Sequence, residues 1–221
     1  GNRDQINHQI EVVGLENILA VAGQPIILLA PHFVGLDAGF TRLSCEIDMA
    51  SIYANQKDAY FNRLLLGGRT RFGTQKLFSR QEGIRPAVRA LKAGTPFYYL
   101  PDQDYGARDA VFVPFFGNQA ATITGLSRLA ALTGAIVLPC VTRFAALGQG
   151  YQVVIHPPWR DFPSGNDTAD ALTHNEAIVT TTRLITIQQP NVNHRSDRVI
   201  LNDLRRAIGF HCRNGRFLAT L

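Results

Sequence analysis

The chain has 221 residues, of which 46% are hydrophobic and 18% charged, a composition typical of one globular domain large enough to bury a sizeable core. Its three cysteines, Cys45, Cys140 and Cys212, are far apart and odd in number. This excludes a cysteine zinc site or a disulfide framework and favours a reduced compartment. There is no signal peptide and no apolar run of about 18 residues, so no membrane span is predicted. Because the chain begins at Gly1 without a methionine, we expect that an upstream piece is missing.

Predicted strands and helices alternate along the chain. In chain order they are a strand over 9–13, a short helix over 15–23, a buried strand over 25–30, a helix over 36–48, a strand over 49–54, a basic helix over 60–73 that runs into a turn at Gly67-Gly68, a helix over 83–94, an aromatic-rich strand over 95–106, an amphipathic helix over 121–134, and strands over 135–144 and 150–158. This alternation predicts an α/β fold with a mixed, largely parallel sheet flanked by helices. We expect residues 1–221 to form a single domain.

Polar side chains follow two of the predicted strands. Pro31 and His32 follow the first long strand, and Asp102 and Asp104 follow the aromatic strand. In α/β sheets, functional groups gather where strands end and helices begin. The coincidence favours chemistry over packing at both places.

His32 and Asp37 are a candidate base and the carboxylate that orients it. On a regular helix, residues five apart point roughly 140° away from each other, so the pair works only if His32 lies in the turn before the helix. An imidazole held by a carboxylate has a fixed tautomer and raised basicity, and it can take a proton from a hydroxyl. The alternative is structural: a buried histidine bonded to backbone, with Asp37 near the positive end of a helix.

Other catalytic motifs are missing from the sequence. It has no Gly-x-Ser-x-Gly elbow and no Gly-x-Gly-x-x-Gly after a strand, and the P-loop-like stretch over 68–74 lacks the lysine that should follow. No histidine pair has metal-ligand spacing, so we expect neither a metal nor a cofactor. Without a nucleophile of its own, the protein would use His32 to activate a hydroxyl of the substrate.

Positive charge is concentrated in one segment. The net charge of the chain is +5, but residues 53–100 contain nine Lys/Arg against Asp58 and Glu82, and so hold +7 while the rest holds −2. Such a field favours an anionic partner, whether phosphate, nucleic acid, an acidic protein or an anionic lipid surface. The alternative is an ordinary solvated helix face.

Several stretches resemble the bacterial lipid A biosynthesis acyltransferases, the late-acyltransferase family that includes the lauroyl and myristoyl transferases. They are VVGLENILA, the His-x4-Asp block LLAPHFVGLDAG, the arginine block YANQKDAYFNRLLLGGRTRFG, the stretch LPDQDYGARDAVFVPFFGNQAATITGLSRLAALTGAIVLP, and DFPSGNDTADALTHNEA. The fourth, over 100–139, is the most specific. The resemblance extends over roughly residues 10–177.

The resemblance implies a reaction and a set of site residues. The family moves a fatty acyl group from acyl-acyl carrier protein to a hydroxyl of a tetraacylated, Kdo-bearing lipid A precursor, at the cytoplasmic face of the bacterial inner membrane. By resemblance His32 is the general base and Asp37 its orienting carboxylate. The further active-site residues implied, which we expect to bind substrate, are Arg69, Arg71, Asp102 and Asp104. The implied partners are acyl carrier protein, an anionic lipid acceptor and the membrane surface, with no nucleic acid. The alternative for the arginines and acids is a plain Arg–Asp salt bridge.

Two parts of the chain depart from the family pattern. The family usually ends with an aromatic followed by a His-Arg-Arg-Phe-Lys-like run, which 191–221 lacks, so residues 178–221 are treated as an atypical tail. The family also has an N-terminal membrane anchor that this chain lacks, and we expect the chain to be a fragment.

Alternative functions stay open. Related acyltransferases that act on lysophospholipids share the His-x4-Asp block but usually have a Pro-Glu-Gly-Thr-Arg-like block, where this chain has PDQDYG. A non-catalytic module could bind anionic lipid or nucleic acid through segment 53–100. The apolar cluster over 111–116 could line an acyl groove, enter the bilayer surface or form an ordinary strand.

Overall fold

A computed structural model describes residues 2–33, 35–101, 110–145, 150–187, 210–213 and 216–219 of the chain. The protein divides into two compact units. The first comprises Gly1–Tyr99 with Leu129–Arg160, and the second Leu100–Arg128 with Asp161–Leu221. The single domain expected from the sequence stays a prediction.

The described strands and helices follow one another in a regular alternation over the first half of the chain. The strands are β1 (Ile10–Val13), β2 (Ile26–Leu29), β3 (Ala50–Tyr53), β4 (Lys76–Ser79), β5 (Phe97–Tyr99), β6 (Ala110–Phe115), β7 (Asn118–Ile123), β8 (Ile136–Phe144), β9 (Tyr151–Ile155), β10 (Phe210–Arg213) and β11 (Arg216–Ala219). The helices are α1 (Arg3–Gln9), α2 (Leu15–Leu19), α3 (Leu36–Leu43), α4 (Ala59–Thr70), α5 (Arg85–Lys92), α6 (Gly125–Thr133) and α7 (Asp167–Ile187).

The first unit is built on a sheet with the strand order β1-β9-β8-β2-β5-β3-β4. Strands β8, β2, β5, β3 and β4 are parallel, β9 is antiparallel to β8, and β1 is parallel to β9. The predicted α/β class and its mixed, largely parallel sheet are therefore confirmed. All four residues of β2 are buried, as expected for a strand inside a parallel sheet that is covered on both faces.

Helices cover this sheet and position the candidate site. α3 packs on β1, β8 and β9, α5 packs on β3 and β5, and α4 packs on α3 and β4. Within the described ranges, no helix is both long enough and apolar enough to cross a bilayer.

The second unit contains a smaller sheet with the order β10-β11-β7-β6. β6 and β7 form a hairpin whose two-residue turn, Phe116-Gly117, has positive φ at both residues (48° and 79°), the backbone that suits a tight hairpin. α7 packs on β6 and β7, and the Asn175 amide donates to Thr122 Oγ1 at 2.9 Å and to the Pro114 carbonyl at 3.3 Å. The apolar cluster over 111–116 is thus mostly strand β6, with Val113 buried and Phe112 exposed.

Several of the expected helix bounds are wrong: the helices expected over 15–23 and 36–48 end at Leu19 and Leu43, and two further differences concern α4 and α6. The helix over 60–73 was expected to end in a turn at Gly67-Gly68, but α4 continues through both glycines to Thr70. Its start is fixed by Asp58, whose carboxylate accepts from the Phe61 amide at 2.7 Å, and a capped helix packed on a sheet tolerates a glycine cost of about 1 kcal/mol each. The helix expected over 121–134 begins only at Gly125, because the β-branched residues before it pair with β6 as strand β7.

Candidate active site

His32 follows the central strand of the larger sheet. β2 and β5 are neighbours in parallel register, with Leu29 opposite Tyr99, and the Ala30 amide donates to the Tyr99 carbonyl at 2.8 Å. The half-buried His32 lies just beyond that point, in the turn before α3. The expected strand-end position of His32 is therefore present. Asp102 and Asp104, expected after β5, fall within 102–109 and lie outside the described residues.

Asp37 lies in the first turn of α3, and two glycines hold this helix close to the sheet. A Cβ at Gly35, whose φ is +94°, would come within 2.6 Å of the Tyr151 ring. A Cβ at Gly39 would come within 1.9 Å of Thr142 Oγ1. Side chains at these positions would push α3 away from the sheet. The two glycines therefore allow the helix to lie close to the sheet, and this determines the position of Asp37.

Arg69 binds Asp37 directly. Its Nε donates to Asp37 Oδ1 at 2.9 Å, and its Nη2 lies 2.7 Å from the same oxygen. The Arg69 side chain is 24% exposed and that of Asp37 62%, so the pair adds at most about 1 kcal/mol to folding. Its consequence is geometric: the last turn of α4 is joined to the first turn of α3.

Arg71 has a different environment from Arg69. It borders a cleft of about 740 Å³. The other lining residues are Ile6, His8, Gln9, Ile10, Asp37, Ala38, Thr41, Gly150 and Tyr151. The Arg71 guanidinium lies 5.0 Å from the centre of the Phe72 ring. The cleft therefore combines apolar and polar side chains, among them one carboxylate and one guanidinium. Asp37 belongs both to the cleft and to the contact with Arg69.

A buried tyrosine, Tyr98, supports the start of the helix that contains Asp37. The sequence did not predict this role. The Tyr98 hydroxyl donates to the Leu36 carbonyl at 3.5 Å, at the start of α3. Burial raises the pKa of Tyr98 well above its usual value, the Asp37 charge adds to the rise, and Arg69 opposes it. Tyr98 is thus a neutral support for the helix. The aromatic run of β5 was the available signal in the sequence.

A second missed feature anchors the chain after α4. The Thr74 amide and hydroxyl donate to the two oxygens of Asp48 at 2.7 and 2.5 Å, and these bonds lower the pKa of Asp48. The Gln75 side chain accepts from the Met49 amide at 2.8 Å. These contacts fix the segment that follows Arg71. No spacing rule pairs residues so far apart, so these contacts could not be predicted from the sequence.

The two cysteines with described side chains are unsuited to act as nucleophiles. Burial raises the pKa of Cys140 to about 12. Burial also raises the pKa of Cys45, although three nearby arginines oppose the rise. Both thiols are therefore protonated at neutral pH. Among the described residues, no group of three or more His, Cys, Asp and Glu side chains could hold a metal ion, and the expected absence of a metal requirement stays a prediction.

Comparison with known proteins gives the family. The sequence model of the bacterial lipid A biosynthesis acyltransferases matches residues 2–194. The chain is 36% identical to a lipid A biosynthesis acyltransferase of Haemophilus influenzae over 71% of the chain and 50% of that protein. It is 36% identical to the lipid A biosynthesis lauroyltransferase of Escherichia coli over 67% of the chain and 49% of that protein.

A third relative is named for a myristoyl group rather than a lauroyl group. The chain is 29% identical to the lipid A biosynthesis myristoyltransferase of Escherichia coli over 79% of the chain and 55% of that protein. The chain thus spans about half the length of the curated relatives it matches. The match over residues 2–194 covers more of the chain than the stretches that resemble the family. The chain belongs to the bacterial lipid A biosynthesis acyltransferase family.

Proposed function

We propose that the protein transfers a fatty acyl chain from acyl-acyl carrier protein to a hydroxyl of a Kdo-bearing lipid A precursor, at the cytoplasmic face of the inner membrane. The observation that supports this most is the Asp37–Arg69 contact, at 2.7 Å, next to the strand end where His32 lies. It brings the two family blocks, the His-x4-Asp block and the arginine block, to one place. Family membership supplies the reaction class.

His32 is the proposed general base. It takes the proton of the acceptor hydroxyl as the oxygen attacks the thioester carbonyl. The C–S bond then breaks, the new ester remains on the lipid, and the proton passes from the imidazolium to the leaving thiolate. No covalent intermediate on the protein is needed, which agrees with the protonated state of Cys140 and Cys45.

Arg69 is the proposed stabiliser of negative charge. Arginine has a rigid fork of donors that suits phosphate or a developing oxyanion. The Asp37 carboxylate occupies Nε and Nη2 of Arg69, which fixes the guanidinium in one orientation before substrate binds. Such preorganised charge is worth most in the transition state. Asp37 would then serve both His32 and Arg69.

Arg71 is the proposed contact for an anionic group of the acceptor. It lies in the cleft with the apolar Ile6, Ile10 and Tyr151. A lipid acceptor presents both kinds of group, phosphate or carboxylate beside hydrocarbon. Asp102 and Asp104 remain candidates for sugar hydroxyls.

The alternative enzyme acts on another lipid acceptor, such as a lysophospholipid. The two proposals are separated by offering both acceptors with acyl carrier protein charged with fatty acids of several lengths, and measuring the acceptors' masses. The proposed function predicts a mass gain of one acyl group on the lipid A precursor alone. A gain on lysophospholipid alone would establish the alternative. No mass gain on any acceptor would favour the non-catalytic module. The observation that favours this module is the +7 charge of residues 53–100.

A further inference from the structure

Helix α4 has an apolar face turned to solvent. Tyr60 is 70% exposed, Phe61 47% and Leu64 59%. On a helix these positions lie within an arc of about 100°, so they form one surface, which we call the α4 face. No residue of α4 is buried. A contiguous exposed apolar surface usually marks a site of interaction with protein, ligand or membrane.

The opposite side of α4 accounts for its packing within the protein. Leu65 and Leu66 are partly buried, α4 packs on α3 and β4, and Arg69 reaches Asp37. Among the described residues, these packing contacts of α4 therefore use the other side of the helix. The outward apolar residues are not needed for those contacts.

Cations border the α4 face. Lys57 precedes the helix, Arg63 lies at the edge of the face, and Arg71 follows its last turn, all three exposed. The one acid within residues 53–81, Asp58, is engaged as the helix cap through the Phe61 amide. Aromatic and leucine side chains bordered by Lys and Arg are typical of helices that lie at a membrane interface.

Two glycines, Gly67 and Gly68, lie in the C-terminal half of α4 on the side of the α4 face. Apart from the backbone of the helix itself, a Cβ at Gly67 or at Gly68 would meet no atom within 4 Å, so packing among the described residues does not require either glycine. Their positions lie on the side of Tyr60 and Leu64 by helical spacing. A flat surface can therefore approach the helix backbone closely along this half.

We propose that the α4 face docks the protein on an anionic lipid bilayer, with Tyr60, Phe61 and Leu64 in the interfacial layer and Lys57 and Arg63 on lipid phosphates. The proposal rests on the proposed function and deepens it, because it names where the enzyme meets the surface that holds its acceptor. Charge complementarity favours a bilayer. An acidic protein would match the cations, but the adjacent apolar side chains suit hydrocarbon below a layer of phosphate. The same helix then places Arg69 against Asp37, one turn further along.

The docking is tested by sedimentation of the full chain with vesicles of phosphatidylcholine, with and without phosphatidylglycerol. Tyr60→Ser/Leu64→Ser should lower the partition coefficient by at least about tenfold. The matched control is Leu19→Ser/Leu132→Ser, whose residues are 62% and 58% exposed on other helices, and it should leave partitioning unchanged. Lys57→Gln and Arg63→Gln should each weaken binding roughly fivefold, and only to the anionic vesicles.

Tryptophan fluorescence tests how deeply the α4 face enters the bilayer. Phe61→Trp is made in a background where Trp159, the single tryptophan, is replaced by Phe. The emission of this variant should shift to shorter wavelength when vesicles are added, and brominated phosphatidylcholine should quench it. Leu132→Trp in the same background should show neither effect. Quenching at both positions or at neither would overturn the proposal.

Two other outcomes also overturn it. Equal partitioning of the α4 and control variants would show that the face serves something else, such as a protein partner. A melting temperature clearly lower for Tyr60→Ser/Leu64→Ser than for the control would show that the chain itself covers the face. Because vesicle binding is measured without substrates, loss of acyl transfer with binding retained would count against the proposed function and leave the docking surface standing.

Discussion

Asp37 is the residue on which the site depends most, because it belongs to the His-x4-Asp block and binds Arg69 of the arginine block. The sequence predicts that it orients His32, and the structure shows it bound to Arg69 through Oδ1. Because the two side chains act as a pair, the losses of kcat/KM caused by Asp37→Asn and by Arg69→Gln should not multiply in the double variant. We expect the double variant to retain at least about tenfold more kcat/KM than the product of the single losses.

The control for this cycle is thermal stability. The pair is too exposed to add more than about 1 kcal/mol to folding, so the three variants should melt close to the parent. Independent, fully multiplicative losses would mean that Asp37 works through His32 alone and that the ion pair is only structural.

The arginines of the basic segment should fall into two kinetic classes. Arg69→Gln should lower kcat, because the charge that it would bind develops only in the transition state. Arg71→Gln in the cleft should also lower kcat/KM beyond any steering effect. Arg89→Gln, on the exposed side of α5, should raise only KM and reduce its salt dependence. Assays at low and high salt separate the classes, and equal, KM-only effects in all three variants would remove Arg69 and Arg71 from the site.

At the scale of elements, the approach of α3 to β8 is the most exacting contact. An added Cβ at Gly39 would overlap Thr142 Oγ1, at 1.9 Å, and crowd Thr142 Cβ, at 3.1 Å. Gly39→Ala should therefore destabilise the protein by about 1–3 kcal/mol in urea unfolding, and it should lower activity by displacing Asp37.

The matched variant for this clash is Thr142→Ala. It removes the atom that an added Cβ would strike, so Gly39→Ala/Thr142→Ala should lose less stability than the sum of the single variants, with a coupling of about 0.5–3 kcal/mol. Strict additivity would mean that the helix accommodates the methyl group by moving.

Elements with strong local patterns could be predicted from the sequence, and those fixed by tertiary contacts could not. The apolar run of β2 and the helical spacing of α5 gave both elements, and Gly94, with φ of +79°, follows α5 as expected. β4 was missed because Lys76–Ser79 is mostly half-exposed at the sheet edge and has no clear alternation. The end of α4 could not be predicted because a glycine pair favours a helix stop, whereas the Asp58 cap and the packing of α4 on α3 and β4 continue the helix through it.

The candidate site shows the same limit. His32, Asp37, Arg69 and Arg71 could be named from family blocks, since those blocks lie on continuous stretches of sequence. The partnership of Asp37 with Arg69 could not, because it depends on how α3 and α4 meet. Tyr98 was overlooked for a related reason: an aromatic residue in a buried strand gives no sign of which helix its hydroxyl supports.

At the scale of the whole molecule, stability should fall as the pH is lowered from neutral. Burial and the nearby Arg143 lower the pKa of His156 below its usual value, so the folded protein binds fewer protons there than the unfolded chain. The stability from this group is complete above the unfolded pKa of about 6.5 and is lost as the pH falls through the lowered folded pKa. His156→Gln does not titrate and should flatten the free energy of unfolding between neutral and mildly acidic pH. An unchanged slope in that variant would assign the acid sensitivity to other groups.

The central claim is that His32 is the base of an acyl transfer to a lipid hydroxyl. The most direct measurement is the rate at which labelled acyl groups pass from acyl carrier protein to the lipid A precursor, compared between the enzyme and His32→Ala at equal folded concentration. Loss of a general base should lower the rate by about 10²–10⁴, while the circular dichroism spectrum and vesicle binding stay unchanged. A correctly folded His32→Ala variant that kept most of its transfer rate would contradict the assignment.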